Sequence, residues 1–179
     1  MCSSDLDLWI NDGAGHFRAA PQSGPTWLDE QGKPLAEPVV DWGLAAHFRD
    51  LNGDGKPDLY VCNDLFTPDR IWLNDSAPGN LRFRALPTLA LRCTSTFSMG
   101  VDFGDLDRDG HLDFFVVDML SRDRASTHIQ MSETEPRFIP PGVIEYRPQV
   151  ARNTLLWGRG DTTWAEGAYY GGVEASEWS

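Results

Sequence analysis

Short apolar and aromatic runs, separated by clusters of Gly, Asn and Asp, set the pattern of this chain. Leu59-Tyr60-Val61 and Phe114-Phe115-Val116-Val117 are β-branched and aromatic, the composition of strands. Leu8-Trp9-Ile10-Asn11-Asp12-Gly13 leads through a turn to Phe17, and Ile71-Trp72-Leu73-Asn74-Asp75 leads through a longer one to Phe83. Leu155-Leu156-Trp157-Gly158-Arg159-Gly160-Asp161 runs likewise to Trp164. Each is an apolar run, a turn, and a second run opening on an aromatic, which predicts three hairpins.

The pattern also repeats. Residues 45–61 recur as 100–116, an offset of 55. Upstream, Asp41-Trp42-Gly43 matches Thr96-Phe97-Ser98, and Glu177-Trp178-Ser179 matches both. One repeat then contains four strands, expected near 44–50, 58–63, 70–74 and 82–86. Four short strands at this period predict an all-β fold of β-propeller blades, each a four-stranded antiparallel sheet, about two and a half of them here.

The expected division follows. Residues 7–40 form the C-terminal half of a first blade plus a loop, 41–95 a second blade, 96–176 a third, and 177–179 the start of the next. The interval from Trp42 to Phe97 is 55 residues but from Phe97 to Trp178 it is 81, so an insertion is placed within 119–150. Its four prolines and lack of repeat pattern predict a loop, with a helical turn or two near 122–132. Residues 1–6 are similar to a translated sequencing adapter and are set aside as a scar. On this reading the chain is a fragment.

Composition sharpens the picture. The 179 residues carry 15 basic and 27 acidic side chains, a net charge of −12, which argues against nucleic acid or an anionic membrane as partner. Aspartate supplies 19 of the 27 acids, and with 17 Gly and 12 Pro this points to turns and metal loops rather than helices. Cys2, Cys62 and Cys93 make no disulfide framework. No apolar run reaches membrane-spanning length, and no leader pattern opens the chain.

Both full repeats contain Asp-x-Asn/Asp-x-Asp-Gly-x-x-Asp. The first has Asp50, Asn52, Asp54, Gly55 and Asp58; the second has Asp105, Asp107, Asp109, Gly110 and Asp113. Spacing by two lets the side-chain oxygens of positions one, three and five wrap one centre, and glycine at six allows the sharp turn. The carbonyl at seven, from Lys56 or His111, turns inward, and Asp at nine closes the cage. All-oxygen coordination of this kind suits Ca²⁺, two ions in all, and not zinc or copper. An EF-hand is excluded because position twelve is Val61 or Val116 instead of Glu. The alternative is a pair of metal-free Asx turns. Against it, 7 of the 27 acidic side chains sit in these two loops, where like charges repel unless a cation compensates.

These motifs, each followed by an apolar strand, resemble the FG-GAP/VCBS repeats of integrin-α-type propellers. Phe103-Gly104 matches the Phe-Gly step, while the Gly-Ala-Pro element is not intact. Asp118-Met119-Leu120-Ser121-Arg122-Asp123 and Trp178-Ser179 are similar to bacterial members of the cartilage acidic protein family. The resemblance implies a seven- or eight-bladed calcium-binding propeller, exported or on the cell surface. It implies a role in adhesion or in binding a protein or glycan, completed by the remaining blades of a parent chain.

A propeller enzyme, a hydrolase or lyase, is the alternative. Its base would come from His16, His47, His111 or His128, and His128 lies near Glu133 and Glu135 in the insertion. No serine-elbow, zinc-protease or phosphate-loop motif is present. Trp9 and Trp72 occupy equivalent strand positions, as Trp42 and Trp178 do before the first strand, which argues for packing between blades. Trp27, without a counterpart, is the candidate for ligand contact.

Overall fold

The computed structural model describes residues 7–65, 67–119, 121, 123, 125–126 and 147–176. The chain opens with a hairpin of β1 (Trp9–Asn11) and β2 (Phe17–Ala19), where the first hairpin was expected. Next come β3 (Gly24–Leu28) and β4 (Pro34–Leu35). The first full repeat folds as β5 (Gly43–Arg49), β6 (Asp58–Asn63), β7 (Arg70–Asn74) and β8 (Phe83–Ala85), neighbours paired antiparallel. A short pair of residues, β9 (Thr94–Ser95), leads into the second repeat. That repeat contains β10 (Ser98–Gly104), β11 (Asp113–Asp118), β13 (Thr154–Gly158) and β14 (Trp164–Glu166). Between them lies β12 (Gln149–Val150), and after them a single helical turn, α1 (Ala168–Gly171). The architecture is all-β and fits a partial propeller; no closed barrel forms among the described residues.

The two repeats agree in detail. Both first hairpins slip register at the same step, between Gly43 and Ala45 and between Ser98 and Gly100. A bulge of this kind twists the strand locally, so both sheets leave their first strand with the same bend. Cross-strand partners then match one for one: His47 faces Tyr60 as Asp102 faces Phe115, and Phe48 faces Leu59 as Phe103 faces Phe114.

Strand alternation gives each sheet two faces. Tyr60, Cys62, Ile71 and Leu73 lie on one face of the first sheet. They join Val101, Phe114, Val116, Leu156 and Trp164 of the second in one buried cluster. Tyr60 meets Phe114 and Phe103 edge-on at centroid distances of 5.4 and 5.9 Å, and Phe114 meets Trp164 at 5.5 Å. Burying each such side chain contributes roughly 1.5–3 kcal/mol, and the edge geometry adds to it. This shared core fixes one sheet against the other, and with it the two loops that hold the aspartates.

The structure departs from expectation in the Gln22–Pro38 loop. Its β3 pairs in parallel with β8 through Trp27 and Phe83, so the first sheet has six strands instead of four. Trp27 stacks on Phe83 at 5.3 Å and stands edge-on to Trp72 at 4.9 Å, with its indole N–H donated to the Pro21 carbonyl at 2.7 Å. These contacts give Trp27 a packing role, and it also lines a cavity of about 150 Å³ beside Pro21, Asp41, Arg70 and Trp72. Trp72 is buried as its repeat predicts, whereas the equivalent Trp9 is 56% exposed.

The insertion ends in a fastening. Gln149–Val150 pairs in parallel with Thr94–Ser95, tying the returning chain to the start of its own blade. The Gln149 side-chain amide also donates to the carbonyls of Leu65 and Thr67 at 3.3 Å each. The helical turns expected near 122–132 lie largely outside the described residues, as do His128, Glu133, Glu135 and Trp178.

Candidate metal centres

Each aspartate loop joins the first two strands of its sheet, 50–58 between β5 and β6 and 105–113 between β10 and β11. Gly55 and Gly110 take φ of 82° and 87°, the left-handed conformation that the sixth position requires. The fourth position is also left-handed, at 77° in Gly53 and 66° in Arg108. The arginine shows that the turn is set by its side-chain anchors and not by glycine alone.

Those anchors are the aspartates themselves. Asp50 Oδ1 accepts the Gly53 N–H at 2.8 Å, and its Oδ2 accepts the Gly55 N–H at 2.8 Å. Asn52 Oδ1 accepts from Asp54 at 2.9 Å, and Asp54 Oδ1 from Lys56 at 2.9 Å. The second loop repeats the scheme. Asp105 Oδ2 accepts from Gly110 at 3.1 Å, Asp107 Oδ1 from Asp109 at 3.2 Å, and Asp109 Oδ1 from His111 at 2.8 Å. Backbone N–H groups thus hold every inward side chain in place before any cation arrives.

One ligand oxygen each from Asp105, Asp107 and Asp109 lies within 4.8 Å of the other two, on an exposed loop. Three carboxylates so close could hold a metal ion, and their hard oxygen donors fit Ca²⁺ better than a soft metal. In the first loop Asn52 stands where the second has Asp107, lowering the negative charge by one at the same geometry. Lys56 Nζ lies 3.6 Å from Asp54 Oδ2 there, a half-exposed contact that offsets some of the remaining charge.

The ninth-position residues, Asp58 and Asp113, are fully buried. Asp58 Oδ2 accepts the Leu51 N–H at 2.8 Å, and Oδ1 accepts the Asn74 N–H from the end of the third strand at 2.7 Å. Asp113 does the same with Leu106 and Gly158, at 2.8 Å in both cases. An ionised carboxylate has about four lone-pair sites, so these two bonds leave capacity for a cation. Burial raises the Asp58 carboxyl above its ordinary range. The Asn74 and Leu51 N–H groups oppose that, and the nearby Asp54 and Asp50 charges add to it. A bound cation would remove both penalties.

The equivalent positions closing the third strand solve one problem in two ways. Asn74 donates its side-chain amide to the Pro57 carbonyl at 2.9 Å. Gly158 has no side chain, and the matching Leu112 carbonyl takes the Trp164 indole N–H at 2.8 Å instead. Repeat alignment of the loops alone does not reveal this anchoring, because the partners lie 16 to 45 residues further along the chain.

The two loops line one polar groove of about 330 Å³, closed on its far side by the β13–β14 turn. The His111 imidazole lies over Gly160 in that turn, close enough that a methyl group there would meet it at 2.4 Å. His16 is exposed and pairs with Asp12 at 3.0 Å, and His47 is exposed near Phe103. Neither lies in an enclosed polar site. Among the described residues no helix is long and apolar enough to cross a membrane.

Residues 50–116 match the family model of the FG-GAP-like repeat. The match begins at the first aspartate of the first loop and ends in β11, so it covers both loops and the strands between them, β6 to β10. It supports a propeller-like FG-GAP repeat, in agreement with the all-β fold. No curated protein matches the chain.

Proposed function

We propose that this chain is a calcium-binding repeat module of an exported or cell-surface protein, serving adhesion or ligand binding, in which Ca²⁺ stabilises each blade. The convergence of Asp105, Asp107 and Asp109 on one centre carries the reading. The same backbone scheme recurs in the 50–58 loop. Asp50, Asn52, Asp54 and Asp58 with the Lys56 carbonyl would hold one ion, and Asp105, Asp107, Asp109 and Asp113 with the His111 carbonyl the second. The ion supplies positive charge where the chain concentrates negative charge, and it ties the first two strands of each sheet. The groove between the loops is the surface offered to a protein or glycan. A closer relationship to the cartilage acidic protein family would rest on the sequence runs Asp118–Asp123 and Trp178–Ser179.

A thermal melt in EGTA, in excess Mg²⁺ and across a Ca²⁺ titration tests the proposal. Ca²⁺ at 100 times its Kd should stabilise the fold by about 2.7 kcal/mol per site, and Mg²⁺ by much less. The shift should vanish in the Asp54→Ala, Asp109→Ala double variant. An unchanged melt with Ca²⁺ would make both loops metal-free turns and remove the basis of the proposal.

A further inference from the structure

Away from the metal loops, the two sheets are joined by a second buried polar cluster. Asp69 precedes β7 and is fully buried. Its Oδ1 accepts the Asn63 N–H at 2.9 Å. Its Oδ2 accepts the Tyr60 hydroxyl at 2.7 Å and, from the second sheet, the Ser98 hydroxyl at 2.9 Å. The Ser98 bond crosses from one sheet to the next.

The second repeat contains the same device in neutral form. By strand register Asn153 stands where Asp69 does, and Phe115 stands where Tyr60 does. Asn153 Oδ1 accepts the Asp118 N–H at 2.7 Å and the Ser176 hydroxyl at 3.2 Å. The carboxylate therefore occurs in the copy that has a phenol to meet it, and the amide in the copy that has none. Geometry is preserved while the ability to bind a proton is not.

We propose that Asp69, with Tyr60 and Ser98, is a proton-sensitive latch across the junction of the two blades. Hydroxyls donate or accept, so a protonated Asp69 can turn its O–H toward Ser98, reversing the bond that Ser98 makes to the carboxylate. Protonation removes a buried charge and weakens the charge-assisted bonds from Asn63, Tyr60 and Ser98, so the two effects oppose each other. Around the carboxyl lie Tyr60 and Cys62 on β6, Ser98 on β10, and the buried Arg147. Arg147 donates through Nη2 to the Leu86 and Pro87 carbonyls, at 2.9 and 3.3 Å. The neighbouring Arg70 directs its guanidinium to Asp41.

Burial, the dominant cause, pushes the Asp69 carboxyl up to about 7. The Asn63, Tyr60 and Ser98 donors and the Arg147 charge pull the other way. A folded value above the unfolded one means that the native state holds the proton more tightly. The stabilisation is complete at acid pH and is lost as pH rises to about 7.

The test is chemical denaturation of the full chain from about pH 5 to pH 8 at fixed Ca²⁺, beside the Tyr60→Phe, Asp69→Asn variant. That variant installs in the first repeat the residues found in the second. The wild-type midpoint should fall relative to the variant as pH rises, and the difference removes the shared contribution of the histidines. Equal slopes in the two proteins would overturn the proposal. A second reading needs no variant: the infrared band of a protonated buried carboxyl should be present in the wild type at the acid end and fade towards the alkaline end. Its absence at the acid end would also overturn the proposal.

Discussion

Asp58 Oδ1 accepts the backbone N–H of Asn74 at 2.7 Å, so the last residue of the first loop is fastened to the end of the third strand. Its other oxygen holds Leu51 at 2.8 Å. The residue thus supports the fold apart from any cation. Asp58→Ala should lower stability by about 2–4 kcal/mol even in chelator, since two buried donors lose their acceptor at roughly 1–3 kcal/mol each. The exposed Asp54→Ala should change chelated stability by less than about 1 kcal/mol and remove only the first loop's share of the Ca²⁺ response. Equal losses for the two variants in EGTA, by chemical denaturation, would contradict this division of labour.

Gly158 admits no side chain. A Cβ there would lie 2.5 Å from the Leu112 carbonyl oxygen, which the Trp164 indole already occupies. Because the clash is with backbone, no rotamer relieves it. Gly158→Ala should destabilise the fold by about 1–3 kcal/mol, read from the denaturation midpoint.

Arg70 is 4% exposed and binds Asp41 through Nε at 2.8 Å and Nη2 at 3.0 Å. Removing one member of a buried pair leaves the other desolvated. Asp41→Ala should therefore cost about 3–5 kcal/mol, with little relief from added salt. A loss below about 1 kcal/mol would place the pair with ordinary surface bridges.

Glu166 joins α1 to the second sheet. Its Oε2 accepts Arg152 Nη2 at 2.7 Å and its Oε1 the Ala168 N–H at 2.7 Å, while the Arg152 guanidinium lies 4.5 Å from the Tyr169 ring centre. Burial raises the carboxyl, but these bonds prevail and hold it below its ordinary range. A depressed value stabilises above the ordinary carboxylate range, near pH 4, and that contribution is lost as pH falls through the folded value. Glu166→Gln at neutral pH should make amide exchange in 168–172 about fivefold faster, on the order of 1 kcal/mol, as acid does in the wild type. Exchange mass spectrometry of that segment provides the check.

The thiols should separate by accessibility. Cys62 is fully buried, and burial pushes its thiol far above the ordinary range. Cys93 is half-buried and is raised less. Alkylation of the native chain, followed by peptide mass, should modify Cys93 first and Cys62 only when the chain unfolds.

The strands of both full repeats were legible because alternation is local and the second copy corroborates the first. The cluster of Asp105, Asp107 and Asp109 was legible because spacing by two brings oxygens together whatever the surroundings. The strand that carries Trp27 was not legible, for the opposite reason. It is defined by parallel pairing with Phe83, 56 residues away, and nothing repeats in Gln22–Pro38 to announce it. The second task of Asp58 and Asp113 was hidden likewise, since a motif names the loop but not the third-strand N–H that meets it. Asp69 and Asn153 escaped notice because an acid in one copy and an amide in the other look like drift until both are seen accepting the same backbone bond.

The added pair β3–β4 also changes how the first sheet ends. Without it the rim would be β8, carrying Phe83 and the unmet backbone of an ordinary strand. With it the rim is a two-residue strand that opens on Pro34, which has no N–H to give. A rim that short, begun by proline, leaves a foreign strand almost no ladder to extend. A segment without repeat or motif thereby guards this acidic, β-rich chain against edge-to-edge aggregation on that side.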